Sequence, residues 1–416
     1  MAIAERALSL KVLICGAGVA GAALAYWLAR NGHRVTIVER FPVLRKAGAQ
    51  VDLRGQGIEA ARCMGLLDAI KTKLVDEPGV AFVNTKGEIK AMLMANTSGR
   101  GPQSLTSEYE IMRGDLMRIL FEATRETVDY RFDCSVEQFE QDEKHVVARF
   151  TDGSSEEFDI LVGADGQGSH IRKAILPTGA DPYRRMGIQM AYWFIPRITS
   201  DNNIRDTYIA PGGRMVMRRS HNPAETQVYF VLRDESDEAS SVHREPIDRQ
   251  KAFWAKRFRD AGWQTERFIE GMNTADFFYS QEVLQVRVDS WSDRRVVLIG
   301  DAAHCASPFS GMGISGSLVG AYVLAGEISR NSGDLRQAFA NYDAVLRPFA
   351  NEIQDSVKPF LLQLGMPRAR WQISAFHAVT ALALFLRIPE LIARILPDDR
   401  DGRWLLPKYP ELLRHD

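Results

Sequence analysis

The chain has 416 residues, with 52 Lys plus Arg against 53 Asp plus Glu, so its net charge is −1. That balance gives no electrostatic basis for nucleic acid or an anionic membrane as the main partner, and 45% hydrophobic residues is ordinary for a globular chain long enough for two domains. Four scattered cysteines, Cys15, Cys63, Cys134 and Cys305, argue against a disulfide framework or a thiolate zinc site and point to a reducing, cytoplasmic compartment.

The opening MAIAERALSL lacks the apolar core of a secretory leader. From Lys11 to Arg40, KVLICGAGVAGAALAYWLARNGHRVTIVER reads as strand, glycine turn, helix, strand. Gly16-Ala17-Gly18-Val19-Ala20-Gly21 fits GxGxxG. Gly16 permits a tight turn, Gly18 admits a pyrophosphate, and Gly21 allows close helix–strand packing. The free N–H groups at the helix start face the anion. Glu39 ends the next strand, placed for ribose hydroxyls, with Arg40 beside it. Glu39 alone does not distinguish FAD from NAD.

VDLRGQGIEAARCMGLLDAI begins extended and turns helical after Gly57. EIMRGDLMRILFEAT is a helix with Arg113 near its start. A series of strands follows, with a turn at Asp152-Gly153, until DILVGADGQGSHIRK delivers Asp165-Gly166 to a turn ahead of Ser169 and Arg172. The region from about Leu176 to Trp291 is different. GIQMAYWFIPRI, TYIAPGGRMVMRRS and TQVYFVLRDE read as aromatic- and methionine-rich strands, and PIDRQKAFWAKRFRDAGW as an amphipathic helix. Met190, Tyr192, Met215, Met217 and Phe230 are the candidate wall for a flat apolar molecule, although residue by residue ordinary sheet core is the favoured reading. In RRVVLIGDAAHCASPFSGMGISGSL a strand ends at Gly300-Asp301, Pro308 stiffens the loop, and Gly311-Met312-Gly313 with Ile314 opens a long helix. Near the end, ISAFHAVTALALFLRIPELIARIL is apolar but interrupted by His377, Arg387, Pro389, Glu390 and Arg394, so it does not read as a spanning helix.

In this order, the three motifs together resemble the single-component aromatic hydroxylases, flavin monooxygenases of the para-hydroxybenzoate hydroxylase type. RKAGAQVDLRGQGIEAARCMGLLD, EIMRGDLMRIL and SPFSGMGISGSLVGAYVLAGE are most similar to the tetracycline-inactivating members. The resemblance implies an α/β fold: an FAD-binding Rossmann-like domain (1–175 and 292–334), a sheet-rich substrate domain (176–291) and a C-terminal helical segment (335–416). It implies that the first glycine motif holds the ADP part of a tightly bound FAD. Asp165-Gly166 then lies where FAD and the nicotinamide cofactor meet, Gly300-Asp301 contacts the ribityl and pyrophosphate, and Arg113 also reaches FAD. Ile314-Ser315 stands where the family often has an asparagine, which puts that contact with the flavin edge in question.

The implied chemistry is reduction of FAD by transient NADPH or NADH. O2 then forms a flavin C4a-hydroperoxide that hydroxylates an aromatic or polyketide-like small molecule. Tetracycline-type antibiotic inactivation by oxygen insertion is an alternative, and a non-catalytic FAD-fold escort protein is another. Halogenases share the fold, but YWFIP only partly matches their WxWxIP segment. No metal set, paired-carboxylate site or catalytic base is evident, and His304 is given no role. The apolar C-terminal stretch is expected to brace the substrate entrance, ahead of a membrane-surface role, in a monomer or dimer.

Overall fold

The computed structural model describes residues 9–45, 48–96, 107–386 and 404–413. Its first sheet has six strands in the order Ser292–Asp293, Val296–Leu298, Ile160–Gly163, Lys11–Cys15, Arg34–Glu39 and Asp129–Phe132. All pairings are parallel except the short one at the Ser292–Asp293 edge. A parallel sheet covered on both faces needs nearly continuous apolar strands, and KVLIC, RVTIVE and ILVG supply them. Helices Val19–Arg30 and Gly313–Arg330 pack against each other, buried along most of their length. The GxGxxG turn and the Gly311–Gly313 turn therefore belong to neighbouring helices.

The second sheet has seven strands in the order Phe278–Val286, Tyr183–Pro196, Glu225–Arg233, Arg214–Arg219, Arg205–Ala210, Gly79–Val83 and Ile89–Met94. Residues 79–94 thus belong to this sheet, where the sequence reading had placed them in the nucleotide domain. Gly79–Val83 pairs in parallel with Arg205–Ala210, a non-local contact with no local signature. One face of the sheet carries Trp193, Val216, Val228 and Phe230. It packs against helices Ile247–Phe258 and Thr265–Thr274. The other face carries Met190, Tyr192, Met215, Met217 and Tyr229.

The C-terminal segment wraps both halves. Helix Leu335–Ser356 packs against Gly313–Arg330. Helix Pro359–Gly365 contributes Leu362 to the second sheet's open face, joined by Met366. Helix Arg370–Phe385 rests on strands 89–94 and 205–210, with Phe376 edge-on to Phe82 at 5.5 Å. The helix thus packs Ile373, Phe376 and Leu384 on its own chain while Trp371, Val379, Leu382 and Phe385 stay exposed, and residues 387–403 lie outside the described part. Beyond them Trp404 stacks on Phe349 at 4.7 Å, and Tyr409 is fully buried with its hydroxyl 2.7 Å from Glu327. Gly326 makes room for it, since a Cβ there would fall 2.3 Å from the Tyr409 ring. Among the described residues, no helix is long and apolar enough to cross a membrane.

Candidate active site

The first glycine motif is shaped from behind and open in front. Gly16 has φ +112°, and a Cβ on it would meet the Ala164 carbonyl oxygen at 2.5 Å. At Gly21 a Cβ would lie 2.1 Å from the Gly16 carbonyl oxygen. At Gly18, in an extended conformation, a Cβ would meet nothing within 4 Å. The helix it opens has neither a side-chain cap nor an acid in its first turn. Val19 and Ala20 are buried in that turn, so the motif offers backbone N–H groups and positive helix-end charge to an anion. The Glu39 carboxylate accepts from the Ala17 N–H at 3.0 Å and the Phe41 N–H at 3.2 Å, which holds it against the turn. Arg40 and Arg45 lie over the Phe41 ring at 5.0 and 4.5 Å.

At the second motif, one Asp165 oxygen accepts the His170 and Ile171 N–H groups at 2.7 and 3.2 Å, while the other is buried without a partner. Asp165 therefore caps the helix after the turn, and its second oxygen remains available. Gly166 has φ +81° with open space at its Cβ position. Arg172, which sequence reasoning noticed but gave no role, is fully buried and ties this motif to the third. It donates to the Ala302 carbonyl at 2.9 Å, the Gln167 carbonyl at 2.6 Å and the Tyr183 hydroxyl at 2.9 Å.

At the third motif, Gly300 sits in a left-handed conformation where a Cβ would approach Ala20 to 2.7 Å. Asp301 begins a short helix and opens into the groove. The surrounding chain shields its carboxyl from part of the solvent and raises it above the usual range although one side stays exposed, and the Arg113 charge partly offsets this. Pro308 starts a short 3-10 turn that Gly311 ends at φ +63°. Gly313 has open space at its Cβ position, Ile314 beside it is half-buried, and the helix they open has no side-chain cap or first-turn acid. Ser315 does not face this opening. It is fully buried, accepting the Arg54 N–H and donating to the Arg54 carbonyl, both at 2.9 Å, and it packs where a side chain on Gly57 would collide. The concern over its contact with the flavin edge is replaced by a structural role. Open glycines at all three motifs, two uncapped helix starts and a buried carboxylate oxygen without a partner together fit a dinucleotide carrying a pyrophosphate and polyol.

The second sheet meets the first-domain loops through its methionine-bearing face: Ala49 and Phe309 pack into the cluster there, and Gln227 donates to the Gly48 carbonyl at 3.4 Å. Tyr192 lies 5.4 Å, centroid to centroid, from both Tyr229 and Tyr279, its partners on the flanking strands. Tyr229 donates to Gln227 at 2.7 Å and Tyr279 to Gln281 at 3.2 Å. Burial, then the neighbouring Tyr279, pushes the Tyr192 hydroxyl up to about 12, so it is no base near neutral pH. Met190, Met215 and Met217 lie alongside, with Phe309, Leu362 and Met366 in the same cluster. Phe230 is not part of this wall. It stacks on Phe258 at 4.1 Å on the opposite face, because the period of two turns it away from Tyr229. The same periodicity could have identified Tyr229; Leu362 and Met366 carry no such signal. A cleft of about 920 Å³, lined by Arg45, Arg118, Phe194, His221 and Phe277, opens at the other end of the sheet's inner face. His304 packs against Trp291 at 5.0 Å, and burial lowers its imidazole to about 4, which suits a neutral packing residue. Among the described residues, no three metal-ligating side chains converge.

Fold and groove together define a flavin-binding monooxygenase. The chain belongs to the FAD binding domain family, whose model matches residues 9–354. It is 38% identical to the FAD-dependent monooxygenase asL4 of Sarocladium schorii, over 97% of this chain and 99% of that one. It is 35% identical to the flavin-dependent monooxygenase eupH of a Phoma species, over 96% and 98%. Among solved structures, the tetracycline destructase Tet(51) superposes with TM-score 0.79 at 30% identity, covering 97% of this chain and 99% of that one. The protein is an FAD-dependent monooxygenase.

Proposed function

We propose that this enzyme hydroxylates an aromatic or polyketide-like small molecule, with NAD(P)H as electron donor and O2 as oxygen source. The observation that carries this reading is the tyrosine–methionine cluster on the face of the second sheet opposite its helices, which Phe309 of the third motif joins. Bound FAD supplies hydride acceptance and oxygen activation. The chain supplies the rest. Gly16, Gly18 and Gly21 seat the ADP part, with Glu39 and Arg40 at the ribose, while Arg113, Asp301 and the Gly313 helix start address the ribityl and pyrophosphate. The uncapped helix end favours negative charge beside it. Met190, Tyr192, Met215 and Met217, with Tyr229 and Leu362, exclude water from the reacting face. Residues 9–78, 107–175 and 292–334 are assigned to FAD binding, residues 79–96 and 176–291 to the substrate, and the C-terminal segment to bracing both. The nicotinamide cofactor reaches the flavin transiently through the cleft beside Arg45.

The deciding experiment is a screen of planar phenolic and polycyclic compounds. Substrate should accelerate NAD(P)H oxidation and gain one oxygen atom by mass spectrometry. Oxidation that no compound accelerates, with only H2O2 released, would refute the reading. A second reading, oxygen insertion into a tetracycline-type antibiotic, is supported by the whole-chain similarity to Tet(51). It predicts NADPH-dependent loss of tetracycline absorbance, and an unchanged spectrum would exclude it.

A further inference from the structure

We propose that Asp52 and Glu110 share one proton beside the glycine turn of the groove, and that this pair sets the charge the turn presents to bound FAD. The inference rests on the FAD assignment but concerns residues that no glycine motif contains.

Strands Gln50–Asp52 and Glu110–Met112 pair antiparallel, with Asp52 directly opposite Glu110. Like charges in such a position repel. The register thus sets the two carboxyls against each other, and each shifts the other's ionisation; two ionised carboxylates offer only acceptors, and a proton held between them turns the repulsion into a hydrogen bond. The surroundings decide which side carries it. Arg219 donates to Glu110 and grips Glu77 at 2.8 and 2.7 Å. Arg205 adds positive charge near Glu77 and Glu110, Gln50 donates to Glu77 at 3.4 Å, and Tyr229 lies close enough to feel Arg219, Glu110 and Glu77. Glu110 is accordingly held ionised, well below the usual range at about 2; Arg219 and the hydrogen bond from Asp52 outweigh its burial. Asp52 faces Arg54, whose guanidinium donates to it at 3.2 and 2.9 Å, yet burial and then Glu110 raise its carboxyl to about 7.

On its other side Asp52 touches the groove. A Cβ on Gly311 would lie 2.9 Å from an Asp52 oxygen and 3.3 Å from Arg54 Nε. Gly311 is the left-handed residue just before the uncapped helix Gly313–Arg330. With Asp52 protonated, the positive helix end stands uncompensated and favours negative charge in the groove. With Asp52 ionised, the charge behind the same turn becomes one unit more negative, which Arg54 offsets only in part, and it opposes negative charge in the groove.

Asp52→Asn mimics the protonated form and can still donate to Glu110. The test is the midpoint potential of the bound flavin against pH in the holoenzyme. In wild type, raising the pH through 7 should weaken reduced relative to oxidised FAD binding by roughly tenfold beyond that in Asp52→Asn. That corresponds to about 30 mV for two electrons. Parallel potential–pH curves for wild type and Asp52→Asn would overturn the proposal. A second measurement stands apart from flavin: infrared difference spectra of the apoprotein should show a protonated-carboxyl band that titrates near pH 7 and is lost in Asp52→Asn. Absence of that band in wild type would also overturn the shared proton. If the band is present but no flavin binds, the FAD assignment is at fault instead.

Discussion

Gly16 and Gly18, two residues apart, should fail in opposite ways when substituted. At Gly16 the backbone is left-handed and a Cβ would lie 2.5 Å from a carbonyl oxygen. Alanine there costs ~1–2 kcal/mol for the backbone conformation and ~1–3 kcal/mol for the overlap, so Gly16→Ala should destabilise the protein by about 2–5 kcal/mol. At Gly18 the φ is an ordinary −75° and the Cβ position is empty. Gly18→Val should cost the apoprotein only ~1 kcal/mol, through the poorer helix start. The cost should instead fall on the ligand, because the side chain occupies the space through which a pyrophosphate reaches the helix N–H groups. Losing one charge-assisted hydrogen bond there costs ~1.5–3 kcal/mol, a loss of FAD affinity of about ten- to a hundredfold. Denaturant unfolding of the two apoproteins and flavin-fluorescence titration separate the effects. The reasoning is refuted if Gly18→Val binds FAD within twofold of wild type, or is destabilised as much as Gly16→Ala.

Asp301→Ala should weaken FAD by one to two decades, since a charged hydrogen-bond partner is worth ~1.5–3 kcal/mol, and normal flavin affinity with lost turnover would assign Asp301 to chemistry instead. Phe230→Ala should cost ~3–5 kcal/mol of stability while leaving FAD affinity intact, whereas Tyr192→Ala should raise the KM for the organic substrate; the two effects are read by unfolding and by steady-state kinetics. The Asp52 carboxyl is raised in the folded state from an ordinary 3.8 to about 7, so its contribution to stability is fully present below pH ~4 and is lost as pH rises through 7. Unfolding midpoints of Asp52→Asn should therefore fall less than those of wild type across that window, and identical pH profiles would contradict the assignment.

What the sequence revealed follows the range of the forces involved. The GxGxxG turn, its helix and Glu39 lie within one short stretch and obey local rules of backbone and spacing, so they could be read directly. The period of two in ETQVYFVLR shows that Tyr229 and Phe230 face opposite sides, but only the packing of helix Ile247–Phe258 decides which side is covered. Residues 79–94 join the second sheet through a partner more than 120 residues away. The Asp52–Glu110 pair is similarly hidden, because each residue alone is an unremarked acid and only strand register brings them together. Arg172 shows the same limit: its length and charge were legible, but not that Ala302 and Tyr183 would surround it.

The Tyr409 clasp on helix Gly313–Arg330 bears on how the protein is made. The glycine turn leaves the ribosome early, but its sheet gains strand Val296–Leu298 only after the whole second domain has been synthesised, and Tyr409 arrives last. At ~5–20 residues per second, the interval from Glu39 to Tyr409 is roughly 20 s to more than a minute. Until Leu298 has emerged, the nascent nucleotide fold exposes the apolar flank of a sheet missing its neighbour. Flavin loading is thus expected only once strand Val296–Leu298 has joined the sheet, and cofactor supply should govern how much active protein accumulates without altering how fast the chain is translated.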